Sequence, residues 1–211
     1  MSTQISRQVA VYKTDKKLIE IIDKLSVAPY TLYGHLHAQG DDVEGMKMYS
    51  NFGVVIQDYS AGKGDSMLRA KANISPDELR YICTRMNACV KTFEFKTDKI
   101  FGTPDESGLS TVTKLTIRRA ETNQNGEVRR FPWYVEIENG RGKPQKTTTG
   151  GTYCASGSFV SDSKLYVNMS DLDFFKLFDK AERFLRVFES TSCAKMYKLA
   201  MQKYAEAEAD A

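Results

Sequence analysis

The chain predicts an α+β fold, predominantly antiparallel sheet with two to three main helices, on three observations. Runs rich in aromatic and β-branched residues recur between Gly and Asp turn signals. Two of these runs end in a serine that can cap a helix, at Ser75 and Ser170. One segment, Thr111 to Asn139, reads as two long strands joined at a turn. At 211 residues, 41% hydrophobic and 27% charged, the chain has the composition of a soluble globular protein able to bury a sizeable core.

In order, Gln4 to Tyr12 is expected as a strand. Thr14 to Leu25 is expected as a short amphipathic helix, because Leu18, Ile21, Ile22 and Leu25 stand at helical spacing behind Thr14 and Asp15. Pro29 breaks that pattern, and Tyr30 to His37 and Met46 to Tyr59 read as strands. After the loop Ser60 to Ser66 comes a strand from Met67 to Ile74. Ser75-Pro76-Asp77-Glu78 then supplies an N-cap, a proline at the first helical position and an acid three residues past the cap, so a helix runs from Pro76 to about Val90.

The second half repeats that plan. Thr92 to Gly108 gives an opening strand and a polar loop, the Thr111 to Asn139 hairpin follows, and Gly151 to Val160 and Lys164 to Met169 read as strands. Ser170-Asp171-Leu172-Asp173 caps a helix reaching Glu189, and Ser192 to Ala207 forms a last helix, whose acidic tail Ala205 to Ala211 reads as a fraying helix end. Asn73-Ile74-Ser75 and Asn168-Met169-Ser170 stand 95 residues apart. Internal duplication, or two strand-to-helix turns converging on one capping chemistry, accounts for the echo. The units are then residues 1–92, residues 93–190, and a C-terminal helix and tail at 191–211, folded separately or as one domain. The helix after Ser170 carries Phe174, Phe175, Phe178, Phe184 and Phe188 on more than one side, which places it between the sheet and another element or at an interface between copies.

The charge is concentrated. Between Ser110 and Gly150 eight basic residues face four acidic ones, a local balance of +4 in a chain of net charge +3. Alternation along the hairpin puts Phe131, Trp133, Val135 and Ile137 on the core face with Leu115 and Ile117, and Leu165, Val167 and Met169 join them from the last strand. The outer face then carries Lys114, Arg118, Arg130 and Lys164 around Tyr134 and Tyr166, with Glu136 and Glu138 on the same side. Aromatic rings on an open sheet can stack bases while Lys and Arg follow phosphates, so single-stranded DNA or RNA, DNA before RNA, is the expected partner. Arg141, Lys143 and Lys146, in the Gly-containing loop Asn139 to Gly151, would close over the bound strand. In the competing reading the charges are solvated or paired, Arg119 and Arg129 with Glu121 and Glu127, and the chain is an interaction or assembly protein.

Other chemistry finds little support. Ala61 to Ser66 has a Gly-Lys pair but lacks phosphate-loop spacing and lies between strands. His35 and His37 alternate onto one strand face without a third metal ligand at a recognisable spacing, and no Ser-His-acid constellation can be argued around them. No cofactor, metal or enzymatic activity is expected. Four cysteines without a C-x-x-C pair read as free thiols, and the absence of a signal-peptide pattern or membrane span leads to a cytoplasmic expectation.

Strands leading into a helix, then the same again, with an aromatic and basic sheet face, resembles the PUR/Whirly group of single-stranded nucleic-acid-binding proteins. The resemblance is architectural and rests on Met46 to Val90 and Val112 to Glu189. It implies a curved sheet that binds single strands with little sequence preference and a homo-oligomer, dimer or higher. Proteins of this sort are frequent in phages and mobile elements.

Overall fold

The computed structural model describes residues 5–43, 45–62 and 64–209. Gln4 at the head of the expected first strand, Lys63 in the expected loop, and Asp210 and Ala211 at the end of the acidic tail lie outside the described residues.

The architecture is α+β. In chain order come β1 (Gln8–Lys13), β2 (Lys17–Lys24), a 3-10 turn (Tyr30–His35), β3 (Gln39–Val43), β4 (Met46–Tyr49), β5 (Asn51–Asp58), β6 (Leu68–Ile74) and α1 (Pro76–Asn87). There follow β7 (Thr92–Phe101), β8 (Ser110–Ala120), β9 (Trp133–Gly142), β10 (Pro144–Lys146), β11 (Thr152–Cys154), β12 (Val160–Met169) and α2 (Asp171–Phe188). One π-helical turn, Glu189–Cys193, joins α2 to α3 (Ala194–Ala209). The strands form two antiparallel four-stranded sheets, ordered β1-β2-β5-β6 and β12-β9-β8-β7, and two small hairpins, β3-β4 and β10-β11.

Both serine caps form. The Ser75 hydroxyl accepts from the Glu78 amide while Glu78 reaches back to the Ser75 amide, and the Ser170 hydroxyl accepts from the Asp173 amide. One continuous core joins Ile19, Phe52 and Ile56 of the first sheet to Ile117, Trp133 and Val135 of the second, with Leu79, Phe174, Phe178 and Leu185 of the helices between them. The Phe-rich α2 packs on β1, β2, β12 and α1, burying Phe174, Leu177, Phe178, Ala181 and Leu185, while Leu172, Phe175 and Val187 stay exposed. Asn139 of β9 closes the outer edge of β6, its side-chain amide accepting from the Lys71 amide and donating to the Lys71 carbonyl, both at 2.8 Å.

Several expected elements differ. Residues 17–24 form a strand rather than a helix: Ile19, Ile21 and Ile22 are β-branched, and β1 and β5 pair with this segment on both sides, which rewards the pleat over the helical periodicity. The expected strand Tyr30 to His37 is a 3-10 turn that packs beside α3, Tyr33 meeting Tyr197 edge-on with centroids 5.5 Å apart. Met46 to Tyr59 divides at Ser50, since its first half pairs with β3 and its second with β2. In the second half, Gly151 to Val160 yields only the three-residue β11 and a turn, while β12 starts earlier than expected, at Val160.

At the start of α2, Asp171 accepts from Arg119 through Nε at 3.0 Å and a terminal nitrogen at 3.2 Å, and from the Trp133 indole N–H at 2.8 Å. The remaining Arg119 nitrogen donates to the carbonyls of Val90 and Lys91. Asp171 is exposed, so the ion pair itself is screened and contributes under about 1 kcal/mol. Trp133 is 1% exposed, and stranding its indole N–H without an acceptor costs more than losing the ion pair. Asp171→Ala is therefore expected to lower the unfolding free energy by about 1–3 kcal/mol in urea titration; a loss below ~0.5 kcal/mol would mean the indole finds another acceptor. The Arg119 hydrogen bonds hold the Asp171 carboxyl below its ordinary range. This stabilisation is complete above the unfolded carboxyl pKa near ~4 and is lost as pH falls through the depressed folded value. Asp171→Asn, which keeps an acceptor for the indole, should remove that part of the acid limb from a stability profile between roughly pH 5 and 2.

The four cysteines are free. Burial pushes the Cys83 thiol up to about 12 and raises that of Cys193 as well, whereas Cys89 is exposed. With iodoacetamide at neutral pH, mass mapping should find Cys89 alkylated first and Cys83 only after unfolding. Early modification of Cys83 would contradict the packing of α1 on α2.

Candidate nucleic-acid interface

Pairing of β7, β8, β9 and β12 lays the outer face of the second sheet out in rows. Glu94, Arg118, Tyr134 and Asn168 form one, Lys96, Thr116, Glu136 and Tyr166 the next, and Asp98, Lys114, Glu138 and Lys164 the third. Successive rows are about 7 Å apart, two residues along a strand. The core positions alternate with these: Leu115, Ile117, Trp133, Val135, Ile137, Leu165, Val167 and Met169 are buried.

This face is charge-balanced, with Lys96, Lys114, Arg118 and Lys164 set among Glu94, Asp98, Glu136 and Glu138. Lys164 pairs with Glu136 at 3.1 Å and Arg118 with Glu94 at 2.6 Å, and the Lys114 ammonium sits 3.8 Å from the centroid of the Phe159 ring. Past the end of the strands Arg129 and Arg130 are exposed, with Glu121 and Glu127 on the same turn. Arg119 and Arg129 do not pair as the competing reading expects. Arg129 donates to the Thr122 carbonyl, Arg119 turns to Asp171, and Glu121 is met by Lys91.

The aromatic part of the face is assembled by register. The rings of Tyr134 and Tyr166 stack with centroids 5.4 Å apart and planes 29° from parallel. Lys17, from the first sheet, places its ammonium 4.1 Å from the Tyr166 centroid and donates to the Tyr166 carbonyl. The Tyr134 hydroxyl donates to Glu136, and burial together with that carboxylate raises the phenol pKa. Phe131, expected in the core, is 42% exposed: β9 begins only at Trp133, and Phe131 belongs to the preceding turn with the Arg130 guanidinium 5.3 Å from its ring centroid. Phe131, Tyr134, Arg118, Arg129 and Asn168 line a cavity of about 330 Å³ at this end of the face.

At the other end the face is covered. A Cβ on Gly140 would collide with the Val160 carbonyl and the Phe159 ring, and one on Gly142 with the Cys154 sulfur, so these two glycines permit the β10-β11 region to lie over the sheet. Lys143 and Lys146 are exposed there, on a paired hairpin rather than a loose loop. Arg141 is a residue of β9 itself, alternates onto the side opposite Tyr134, and is held by Asp105. It stands apart from the other expected contacts.

One cluster is invisible to spacing. His37 sits between two partners, its Nε2 3.0 Å from a Glu189 carboxylate oxygen and its Nδ1 3.0 Å from the Ser50 hydroxyl. Ser50 is 5% exposed and its oxygen already accepts from the Ser26 amide, while Arg80 pairs with Glu189. The oxygen a nucleophile would need is thus turned inward, and the array works as a strut joining the β3 region, α1 and α2. His35 is exposed and not on a shared strand face with His37. Among the described residues no group of His, Cys, Asp and Glu could hold a metal ion, and no helix is long and apolar enough to cross a membrane.

No protein-family model matches the chain, and no curated protein matches it in sequence. Among solved structures it is similar to one titled Crystal Structure of WHY1 from Arabidopsis thaliana, at 10% identity, with 87% of this chain and 90% of that one covered and a TM-score of 0.42. The likeness is of outline, and no residue role is carried across it.

Proposed function

We propose that this chain binds single-stranded nucleic acid, DNA in preference to RNA and with little sequence specificity, along the outer face of its second sheet, as a non-enzymatic cytoplasmic protein that works as a homo-oligomer. The observation that carries the reading is the Tyr134–Tyr166 stack on an open sheet face, with Lys17 against one ring and Arg118 beside the other. Each base stacked on such a ring contributes about 1–3 kcal/mol, and the ring face does not distinguish bases. Lys114, Arg118, Arg130 and Lys164 serve the phosphates, with Lys143 and Lys146 reaching from the hairpin end. Glu136 and Glu138 oppose phosphate, which limits affinity and gives the acids a part in the salt response.

A second reading has its own observation. Leu25, Val27, Pro29, Phe188, Met196 and Leu199 line an apolar groove of about 730 Å³ between the segment after β2 and α3. It favours an assembly protein, and light scattering of the purified chain tests it; Phe178, fully buried in α2, is unsuited to that test because changing it disrupts the fold.

Fluorescence anisotropy with labelled oligothymidine at low ionic strength should show binding whose log-log salt slope lies between about −3 and −4, from about four to six phosphate contacts. Absent or salt-indifferent binding would overturn the reading. The double variant Tyr134→Ala/Tyr166→Ala should keep the circular dichroism of the parent and lose at least roughly tenfold in affinity, whereas Glu136→Gln should gain a few-fold by removing a carboxylate from the phosphate path. Full affinity in the double variant would remove the stacking face from the account.

A further inference from the structure

We propose that the outer face of the first sheet is a second nucleic-acid site, which takes a strand by its phosphates alone, so that one chain holds two strands at once. The inference goes beyond the base-stacking face described above and uses none of its residues. Strand register puts Lys13, Gln57 and Arg69 in one row of this face, Glu20 and Lys71 in the next, and Lys24 at the end, past Gly53 and Asn73. Rows lie about 7 Å apart. Arg7, whose carbonyl accepts from the Asp23 amide, precedes β1 at the same end. All five cations are exposed, and Glu20 is the one acid in these rows.

Glu20 does little to neutralise them. It is 8% exposed, and its carboxylate accepts from the side-chain amides of Gln8 and Gln57, with Arg69 3.7 Å away. Lys24 lies across Gly53 and donates to the Asn73 side chain at 3.0 Å. Burial, and then the neighbouring charges of Lys71, Arg69 and Arg7, lower the pKa of its ammonium, the mark of cations gathered with too few anions among them. The second sheet's face, in contrast, balances its charges. These rows also carry no aromatic residue, so a strand seated on them meets the protein through its phosphates and turns its bases outward. Cations spread over several rows of a sheet face suit a polyanion, whereas a small anion calls for donors converging on one point. An acidic peptide pairing with β6 is shut out at Lys71, whose backbone groups are taken by Asn139.

The probe is a labelled abasic oligomer, a deoxyribose-phosphate chain with no base to stack. At low ionic strength the parent chain should bind it in fluorescence anisotropy, and oligothymidine held on beads should retain it only when the protein is present. Arg69→Gln/Lys71→Gln, both at exposed positions, should keep the circular dichroism of the parent. It should weaken abasic binding roughly fivefold or more, reduce the salt slope by about 1.4 for two lost phosphate contacts, and abolish retention on the beads. Tyr134→Ala/Tyr166→Ala should leave abasic binding unchanged. If the parent binds oligothymidine but not the abasic oligomer, or abasic binding survives Arg69→Gln/Lys71→Gln or is lost in the tyrosine variant, the second site is wrong while the stacking face stands. If polyglutamate displaces the abasic oligomer at equal charge concentration, the first sheet takes acidic protein and the nucleic-acid assignment of this face is wrong. If abasic binding needs Arg69 and Lys71 while oligothymidine ignores the tyrosines, the stacking face falls and this one stands. If neither oligomer binds, both fall together.

Discussion

Everything in this fold depends on one burial: the indole of Trp133, which lies in the seam between the second sheet and α2. Its ring stacks on Phe174 with centroids 3.7 Å apart and planes 4° from parallel, Phe174 stacks in turn on Phe178, and Phe93 meets the indole edge-on. Burying a residue of this size outweighs the screened ion pair beside it several-fold, since large aromatic truncations cost about 3–5 kcal/mol and an exposed pair contributes under about 1. Arg119 and Asp171 mainly fix where the indole points. By accepting from Trp133 at the first turn of α2, Asp171 sets the register of helix against strand, and the Arg119 donors to Val90 and Lys91 tie that corner to the end of α1. The outer face inherits its geometry from this corner, because Tyr134 follows Trp133 and can only point the opposite way.

What is legible in the sequence is local chemistry. Ser75 and Ser170 announce their helices because a cap needs a hydroxyl and its partner amide within one turn, and both form. The alternation of Trp133, Val135 and Ile137 is visible because period two is a property of one strand. Residues 17–24 mislead for the converse reason: their apolar spacing suits a helix, and only the presence of β1 and β5 on either side makes them a strand. Phe131 falls on the core side only if the alternation is extended past Pro132, where strand pairing has not begun. Lys17 beside Tyr166, and the Ser50–His37–Glu189 strut, join residues far apart in the chain and carry no spacing signal.

The charge balance of the candidate face looks unfavourable to a polyanion, yet the pairs that produce it are exposed. Arg118 with Glu94 and Lys164 with Glu136 involve basic groups open to solvent, where such pairs contribute about 0–1 kcal/mol. A phosphate that replaces a carboxylate partner therefore displaces little. On the proposed reading the displaced carboxylate would remain nearby and keep repelling the phosphate, so binding would not be tight, and the exposed Arg129 and Arg130 of the turn would add to the attraction at that end of the face.

That weakness bears on assembly. Two stacked bases at about 1–3 kcal/mol each, with a few screened phosphate contacts, leave one protomer with modest affinity once the ordering of a flexible strand is subtracted. A second copy linked to the first makes its own contact with the same strand intramolecular, at an effective concentration in the millimolar range for close sites, and can raise overall affinity by about 10² or more without any new contact. The apolar groove along α3 lies among elements that are not part of the Tyr134–Tyr166 face. Copies joined through it would leave that face open, so the proposed assembly and the proposed single-strand binding would reinforce one another instead of competing for the same surface.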